Sequence, residues 1–560
     1  LVERGFVVQV FESKAIPGGK ARSIPVPGTG TDGRKDLPGE HGFRFFPAFY
    51  RHLPDTMRRI PYPGKARGVL DNLVPTTQIL VGEMGHSKEV ILAGFPSSVR
   101  DIELILNDLF HNTTGLTRGE VQHYAERMWQ IATSCKARRL EEYEKLGWWT
   151  YMDADAYSDV YQTFLVEGLT RSLSACQADK ANTRTVGDIA IQLLLTMAIP
   201  GATSDRVLNG PTNEVWINPW LDYLRARGVE YRLNTPVDQI HCEGGRVTGV
   251  TVRENGQPVT VTGDYYLAAL PLEVMARLLT PELQAADPTL ARLSELAESV
   301  AWMNGIQFYL TTDVPVVHGH QLYVGTPWAL TAISQKQFWD VDLSRYGDGT
   351  VRGVLSVDVS DWNTPGLIYG KPAHACTRDE IKQEVWLQVK QSLNVGGEEI
   401  LNDGMLHSWF LDPDISHAGA PSHETNLEPL LVNTVDSWHL RPQSFTRLPN
   451  FFLASDYINT NTNLATMEGA NEAARRAVNG IIAASGRRGP YCRVWDLHEP
   501  ALLAIWRWYD QYRHRRGLPW TPHRPRAVDL LHNLTVQAHA TWHNARRSRV
   551  TSGNPVERSL

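Results

Sequence analysis

The chain has little of what would define several common classes of protein. Its five cysteines, at positions 135, 176, 242, 376 and 492, are odd in number, far apart and include no CxxC pair. That pattern excludes a disulfide framework and a cysteine zinc site, and it suits a reducing compartment. No HExxH is present, so no metal is expected. Long hydrophobic runs are missing as well. The longest, IAIQLLLTMAIPGA at 189–202, breaks at Pro200 and Gly201, short of the ~18 residues a membrane helix needs. Basic charge is not in excess: the net charge is −6 and the basic residues are scattered until the last fifty positions, which argues against nucleic acid as a partner. No signal peptide is visible, and a cytoplasmic protein is expected.

What is present is a large soluble chain. At 560 residues it should form two to four units, on a prior of ~150 residues each. The 17 tryptophans point to large cores or to a roomy apolar cavity.

The first motif stands at the amino terminus. VVQVF (7–11) reads as a short strand buried on both faces, and Glu12 follows at its carboxyl end. In dinucleotide-binding folds an acid there accepts hydrogen bonds from the adenosine ribose. The phosphate-binding turn belongs ~20 residues before that acid, which here falls before residue 1. The sequence therefore reads as lacking its first strand and G-x-G-x-x-G. Next comes Gly18-Gly19-Lys20-Ala21-Arg22. Two glycines let backbone approach a ligand, and Arg22 could turn a planar donor fork toward a pyrophosphate.

GEHGFRFFPAFY (39–50) is a dense aromatic stretch behind His41 and Gly42. Residues 96–205 read as helices at 97–110, 117–135 and 185–198, with a capping box at Thr117 and Glu120. A helix from about Pro219 to Gly228 and a strand at 230–234 lead into a meander beginning near Val237. Its hairpins turn at Gly244-Gly245 and Asn255-Gly256, and a last apolar strand covers 265–270. Residues 300–445 alternate strands with an amphipathic helix at 379–393. NFFLAS (450–455) is then a buried strand with Asp456 at its carboxyl end, where α/β sheets bind ligands. Met467-Glu468-Gly469-Ala470 opens a small-residue helix whose free N–H groups suit a developing negative charge. A basic, aromatic helix at 494–520 docks on the core or lies on a lipid surface, and the last ~25 residues read as disordered.

The acid, the GG-x-x-R loop, the EHG segment and the SDY…MEGA block together resemble the FAD-dependent flavoprotein superfamily of amine oxidases and phytoene desaturases. The resemblance implies an α/β fold: an FAD-binding Rossmann-like domain (the GR2 type), an inserted mixed α+β substrate domain and a helical carboxyl-terminal extension. It divides the chain into FAD-binding pieces at 1–95, 206–290 and 446–485, a helical cap at 96–205, a substrate sheet at 291–445 and an extension at 486–560. It also implies that Glu12 binds ribose and that Gly18, Gly19, Lys20, Ala21 and Arg22 line the pyrophosphate. His41 and Gly42 would lie beside the flavin ring, and Val237 would meet the adenine through its backbone. Asp456 would reach the ribityl–pyrophosphate region, while Met467, Glu468, Gly469 and Ala470 contact the flavin.

Amine oxidases of this superfamily typically carry a lysine on a substrate-domain strand and an aromatic cage before the last helix. The matching strand here, AWMNGIQFYL, has Asn304 and Gln307 instead, and INTNTNLAT (458–466) holds no aromatic residue. Both departures favour the desaturase or hydroxysqualene dehydroxylase branch. The expected function is hydride transfer between a bulky apolar, isoprenoid or carotenoid-like substrate and FAD. Quinone or oxygen would accept the electrons, with a peripheral membrane contact. An amine oxidase is the alternative, and a non-catalytic binding module the second. No catalytic acid or base is assigned from the sequence.

Overall fold

Eleven strands place the site. In chain order they are β1 (Gln9–Phe11), β2 (Gln78–Glu83), β3 (His86–Val90), β4 (Glu230–Arg232), β5 (Tyr266–Ala268), β6 (Asn304–Leu310), β7 (Gly319–Tyr323), β8 (Leu330–Ser334), β9 (Gly353–Val359), β10 (Leu406–Leu411) and β11 (Phe451–Leu453). The computed structural model describes residues 1–83, 86–90, 115–168, 177–197, 205–415 and 426–523, with positions 100, 103, 525, 526 and 528–530 besides.

Two parallel strand pairs bring distant parts of the chain together. β1 pairs with β4, Gln9 opposite Glu230, and β5 pairs with β11, Tyr266 opposite Phe451. The expectation that residues 7–11 are buried on both faces needs correction. Among the described residues β1 has a ladder partner on one edge only, and Val7 stands 97% exposed. The antiparallel meander Val237–Glu243, Arg246–Glu254, Gln257–Val261 follows as expected. Its turns at Gly244-Gly245 and Asn255-Gly256 all have positive φ, as two-residue hairpins of primed type require.

The second unit is a seven-stranded sheet in the order β10-β6-β9-β8-β7-β2-β3. Side chains alternate between its faces. Leu80, Tyr323, Leu330, Ala332, Leu355, Val357, Ile306 and Phe308 form a core with a helix, Arg378–Leu393, packed on one face. The register puts Ile79, Val81, His320, Leu322, Thr331, Ile333, Ser356, Asp358, Gly305, Gln307 and Phe410 on the other. At the β2–β7 end this second face meets the helical block, where Ile79, Val81, Leu322 and Val324 pack with residues of Arg118–Thr133 and Thr183–Met197.

The capping box at Thr117 and Glu120 forms, both of its bonds present. The helix expected at 97–110 and the tail after 536 lie outside the described residues. The last helix is shorter than expected, Ala504–His514. Pro500 caps a single 3-10 turn, Ala501–Leu503, and the chain from 490 to 500 is not helical. Among the described residues no helix is long and apolar enough to cross a membrane, no group of side chains has a metal-binding arrangement, and the four described cysteines are all free.

Candidate active site

Residues 38–46 run diagonally across the open face of the large sheet. Tyr309 donates its hydroxyl to Pro38 O at 2.9 Å, and Glu40 N donates to Gln307 Oε1 at 2.9 Å. Gly305 N donates to His41 O at 2.7 Å, and Phe43 N to Asp358 Oδ1 at 3.3 Å. Phe43 and Phe45 then close on the His320 ring. The path explains two glycines. A methyl group on Gly42 would stand 2.8 Å from Asp358 Oδ1, and one on Gly305 2.6 Å from Gly42 Cα. Only bare backbone lets the strap lie this close.

His41 is buried and held from both sides. Its Nδ1 lies 2.7 Å from Asp412 Oδ2, and Asn304 Nδ2 lies 3.2 Å from Nε2. A carboxylate only accepts, so the bond network assigns the proton to Nδ1 and leaves Nε2 to accept from Asn304. Asn304 Oδ1 in turn accepts from Asn426 at 2.9 Å. Burial lowers the His41 pKa against the pull of Asp412. The ring is thus a fixed, neutral imidazole.

The Gly-Gly loop arrives beside it. Gly18 and Gly19 have φ of 121° and 57°, and a methyl group on Gly19 would meet nothing within 4 Å, so this turn faces open space. Asn213 ties the loop to the sheet strap, accepting from Ser23 N and donating to Pro17 O at 3.1 Å. Arg44 donates to Lys20 O at 2.7 Å, while its Nε, buried, has no partner. Arg22 is placed differently from the expectation. Its guanidinium bonds Gly19 O at 2.6 Å and faces Asp414, Glu428 at 3.2 Å and Asp412 at 3.5 Å. Lys14 shares Asp414 and Glu428 at 2.7 and 2.8 Å. The fork is spent on carboxylates, so Arg22 positions the loop and the His41 partner Asp412 at once.

Asp456 is linked to the same loop through Glu273. Lys20 Nζ lies 3.4 Å from Glu273, and the charge of Asp456 adds to the burial that raises the Glu273 pKa. The turn is locked by buried Arg441, which donates to the backbone oxygens of Asp456, Tyr457 and Ile458 at 2.7 to 2.9 Å. Ser455 just before it has φ of 147°, a value glycine tolerates and serine resists; such strain marks functional turns.

The helix Met467–Ala484 begins where expected. Thr466 caps it, accepting from Gly469 N at 3.1 Å. Met467 and Ala21 pack against one core. Glu468 turns its side chain away and caps a second helix, His52–Arg59. It accepts from the N–H groups of Arg51, His52 and Leu53 at 2.7 to 2.9 Å, and from His52 Nδ1 at 2.7 Å. Glu12 and Val237 lie at the other end of this crevice. Glu12 O accepts from Thr235 N at 2.8 Å and its carboxylate from Lys14 N at 2.9 Å, two residues before Val237 starts the meander.

The structure therefore brings the Gly-Gly loop, the 38–46 strap, the Asp456 turn and the Met467 helix start into one region, with Glu12 and Val237 flanking it. Asp412, Arg441, Glu273 and Asp358 were missed from sequence. Asp412 lies 371 residues from His41, and no local pattern links them. The donor set fits a dinucleotide flavin: a Gly-Gly turn on open space, an orphaned guanidinium nitrogen, and a capped helix start rich in small residues.

A search of curated protein sequences returns no match. Solved structures are similar throughout. An oxidoreductase from Methanosarcina mazei superposes at TM-score 0.52 and 12% identity over 87% of this chain and 96% of that one. Putrescine oxidase bound to putrescine gives 0.55 and 12% over 86% and 94%. Cyclohexylamine oxidase from Brevibacterium oxydans IH-35A gives 0.53 and 12% over 86% and 94%. At this identity they show the shared fold. The family model for flavin containing amine oxidoreductases matches residues 1–482, and the chain belongs to that family of FAD-binding oxidoreductases.

Proposed function

We propose that the protein is a dehydrogenase or desaturase that takes hydride from a bulky, mainly apolar substrate of isoprenoid kind. The observation that carries this reading is the make-up of the sheet face under the 38–46 strap. Ile79, Val81 and Leu322 meet the helical block at one end of it, Ile333 packs with Phe43, and none of β6 to β10 carries a lysine. A water-activating base of the amine-oxidase kind thus has no side chain to stand on in those strands.

When bound, FAD supplies the two-electron acceptor. The chain's residues hold and orient it: Glu12 and Val237 at the adenosine, Gly18 to Ala21 at the pyrophosphate with Arg22 fixing the loop, and Asp456 at the ribityl chain. The N–H groups of Met467 and Glu468, ahead of the two that Thr466 takes, would be the ones left to meet the flavin edge where reduction places charge. His41, held by Asp412 and Asn304, and Gly42 would lie beside the ring, and quinone or oxygen would serve as the electron acceptor.

One observation favours the second reading, oxidation of an amine. Asp358 is a half-buried acid on the same face, beside Gly42, and an ammonium group set against it would favour its ionised form. Anaerobic mixing separates the two. The FAD-loaded protein should lose its visible flavin absorbance with long polyenes and keep it with primary amines. Bleaching by amines alone would overturn the proposal in favour of the second reading.

A further inference from the structure

Three histidines are buried in the described residues around the site, and two are fully used. His41 is bonded on both nitrogens. His52 donates Nδ1–H to Glu468, and its Nε2 accepts from Trp495 N at 2.9 Å. The third, His320, is 3% exposed and has a hydrogen-bond partner on neither nitrogen.

Its place in the sheet shows why that matters. On β7, Gln321 and Tyr323 point to the closed face and satisfy each other, Tyr323 Oη to Gln321 Oε1 at 2.6 Å, with Gln321 Nε2 donating to Ser334. His320 points to the opposite face, level with Ile79, between the strap and the helical block. Its ring packs edge-on to Phe43 at 5.3 Å and tilted on Phe45 at 5.0 Å. Aromatic and aliphatic walls offer no hydrogen bond. A polar atom buried without a partner loses its bond to water and gains none in return. With no charge nearby, burial alone pushes the His320 pKa to about 3. The ring is therefore neutral at any working pH and offers one N–H donor and one lone pair.

We infer that His320 is a substrate-contacting residue, which hydrogen-bonds a single polar group, a hydroxyl or carbonyl, carried by an otherwise apolar substrate that reaches the sheet face beside Phe43 and Phe45. This rests on the proposed substrate class and sharpens it: a pure hydrocarbon would leave both ring nitrogens unpaired. A neutral imidazole can donate to a carbonyl or hydroxyl oxygen and accept from a hydroxyl. It cannot form an ion pair with a carboxylate. Discrimination between an alcohol and its hydrocarbon parent is strong when the protein's own buried group is left unpaired by the wrong ligand.

The test uses the FAD-loaded full chain and a matched pair of probes, geranylgeraniol and its hydrocarbon parent, each titrated by perturbation of the flavin spectrum. The wild type should bind the alcohol more tightly. H320F should weaken the alcohol roughly tenfold or more and leave the hydrocarbon unchanged, since phenylalanine keeps the shape and removes both polar atoms. H320N, which keeps a donor and an acceptor, should restore part of the preference. If neither isoprenoid perturbs the flavin, the substrate class fails and the inference, which rests on it, falls with it; a wild type that binds both probes alike overturns the role of His320 alone. Equal loss for both members of a pair, or no loss for either, would overturn the inference, as would ordered water on both ring nitrogens in a crystal structure of the alcohol complex.

Discussion

Single side chains at this site act through what they leave no room for. Gly42 and Gly305 face each other so closely that one added methyl group has nowhere to go. G42A should therefore cost stability in the overpacking range, about 1–3 kcal/mol, and should weaken FAD retention by lifting the strap. Denaturant unfolding and the flavin content of the purified variant report the two effects. Asp358, against that glycine, titrates with the opposite sign to a surface acid. Burial, opposed by Arg44, lifts its pKa to about 7 from 3.8. A carboxyl raised in the folded state is most favourable below pH ~4 and becomes progressively less so up to ~7. D358N has no such penalty. Its melting temperature should gain on the wild type as pH rises from 4 to 7 and run parallel above that. A constant difference over the whole range would count against the assignment.

At the scale of elements, helices were the most legible part of the sequence. Helix 378–393 and the opening of 467–484 announce themselves through three- and four-residue spacing and small residues, and Thr117 with Glu120 marks its own cap. What could not be read is how elements cap one another from a distance. Glu468 serves a helix start more than four hundred residues upstream, and no short-range rule encodes that. The last helix shows the same gap. Its aromatic face predicts docking, but the buried pair that anchors it, Arg138 Nε to Asp510 Oδ1 at 3.0 Å, joins residues that nothing in the sequence connects. Asp510 also accepts from Cys135 N, and Trp506 meets Trp129 at 5.0 Å. D510A takes one of two carboxylates from a buried guanidinium, leaving Glu142 at 2.6 Å and Leu518 O at 2.8 Å as its partners, and so loosens the helix rather than stranding the charge. The expected result is early proteolytic cleavage between 490 and 520 while the rest of the chain resists. Unchanged protection would show that the tryptophan contact holds the helix alone.

For the molecule as a whole, the legible part of the site is the part that lies on backbone. Gly-Gly turns and helix starts bind through N–H groups, and their positions follow from local sequence. The illegible part is electrostatic. Arg22 looked like a ligand for phosphate and instead gathers Asp412 and Asp414, which directly follow edge strand β10, and Glu428. Through Asp412 the same arginine reaches His41, so one residue couples the Gly-Gly loop to that imidazole. That coupling is testable by linkage. A ligand that binds only the folded state raises stability by RT ln(1 + [L]/Kd). Urea unfolding of the wild type, followed by its tryptophans, should therefore shift to higher denaturant as FAD is added. In R22A three carboxylates lose a cation, and Lys14, with a single charge, contacts only two of them. The variant should be less stable without FAD and should show little further shift with it. R22K keeps the charge but not the fork, so it should recover baseline stability before it recovers the FAD response. An R22A protein that responds to FAD as the wild type does would mean that the loop and the imidazole are independent, and that Arg22 serves the fold alone.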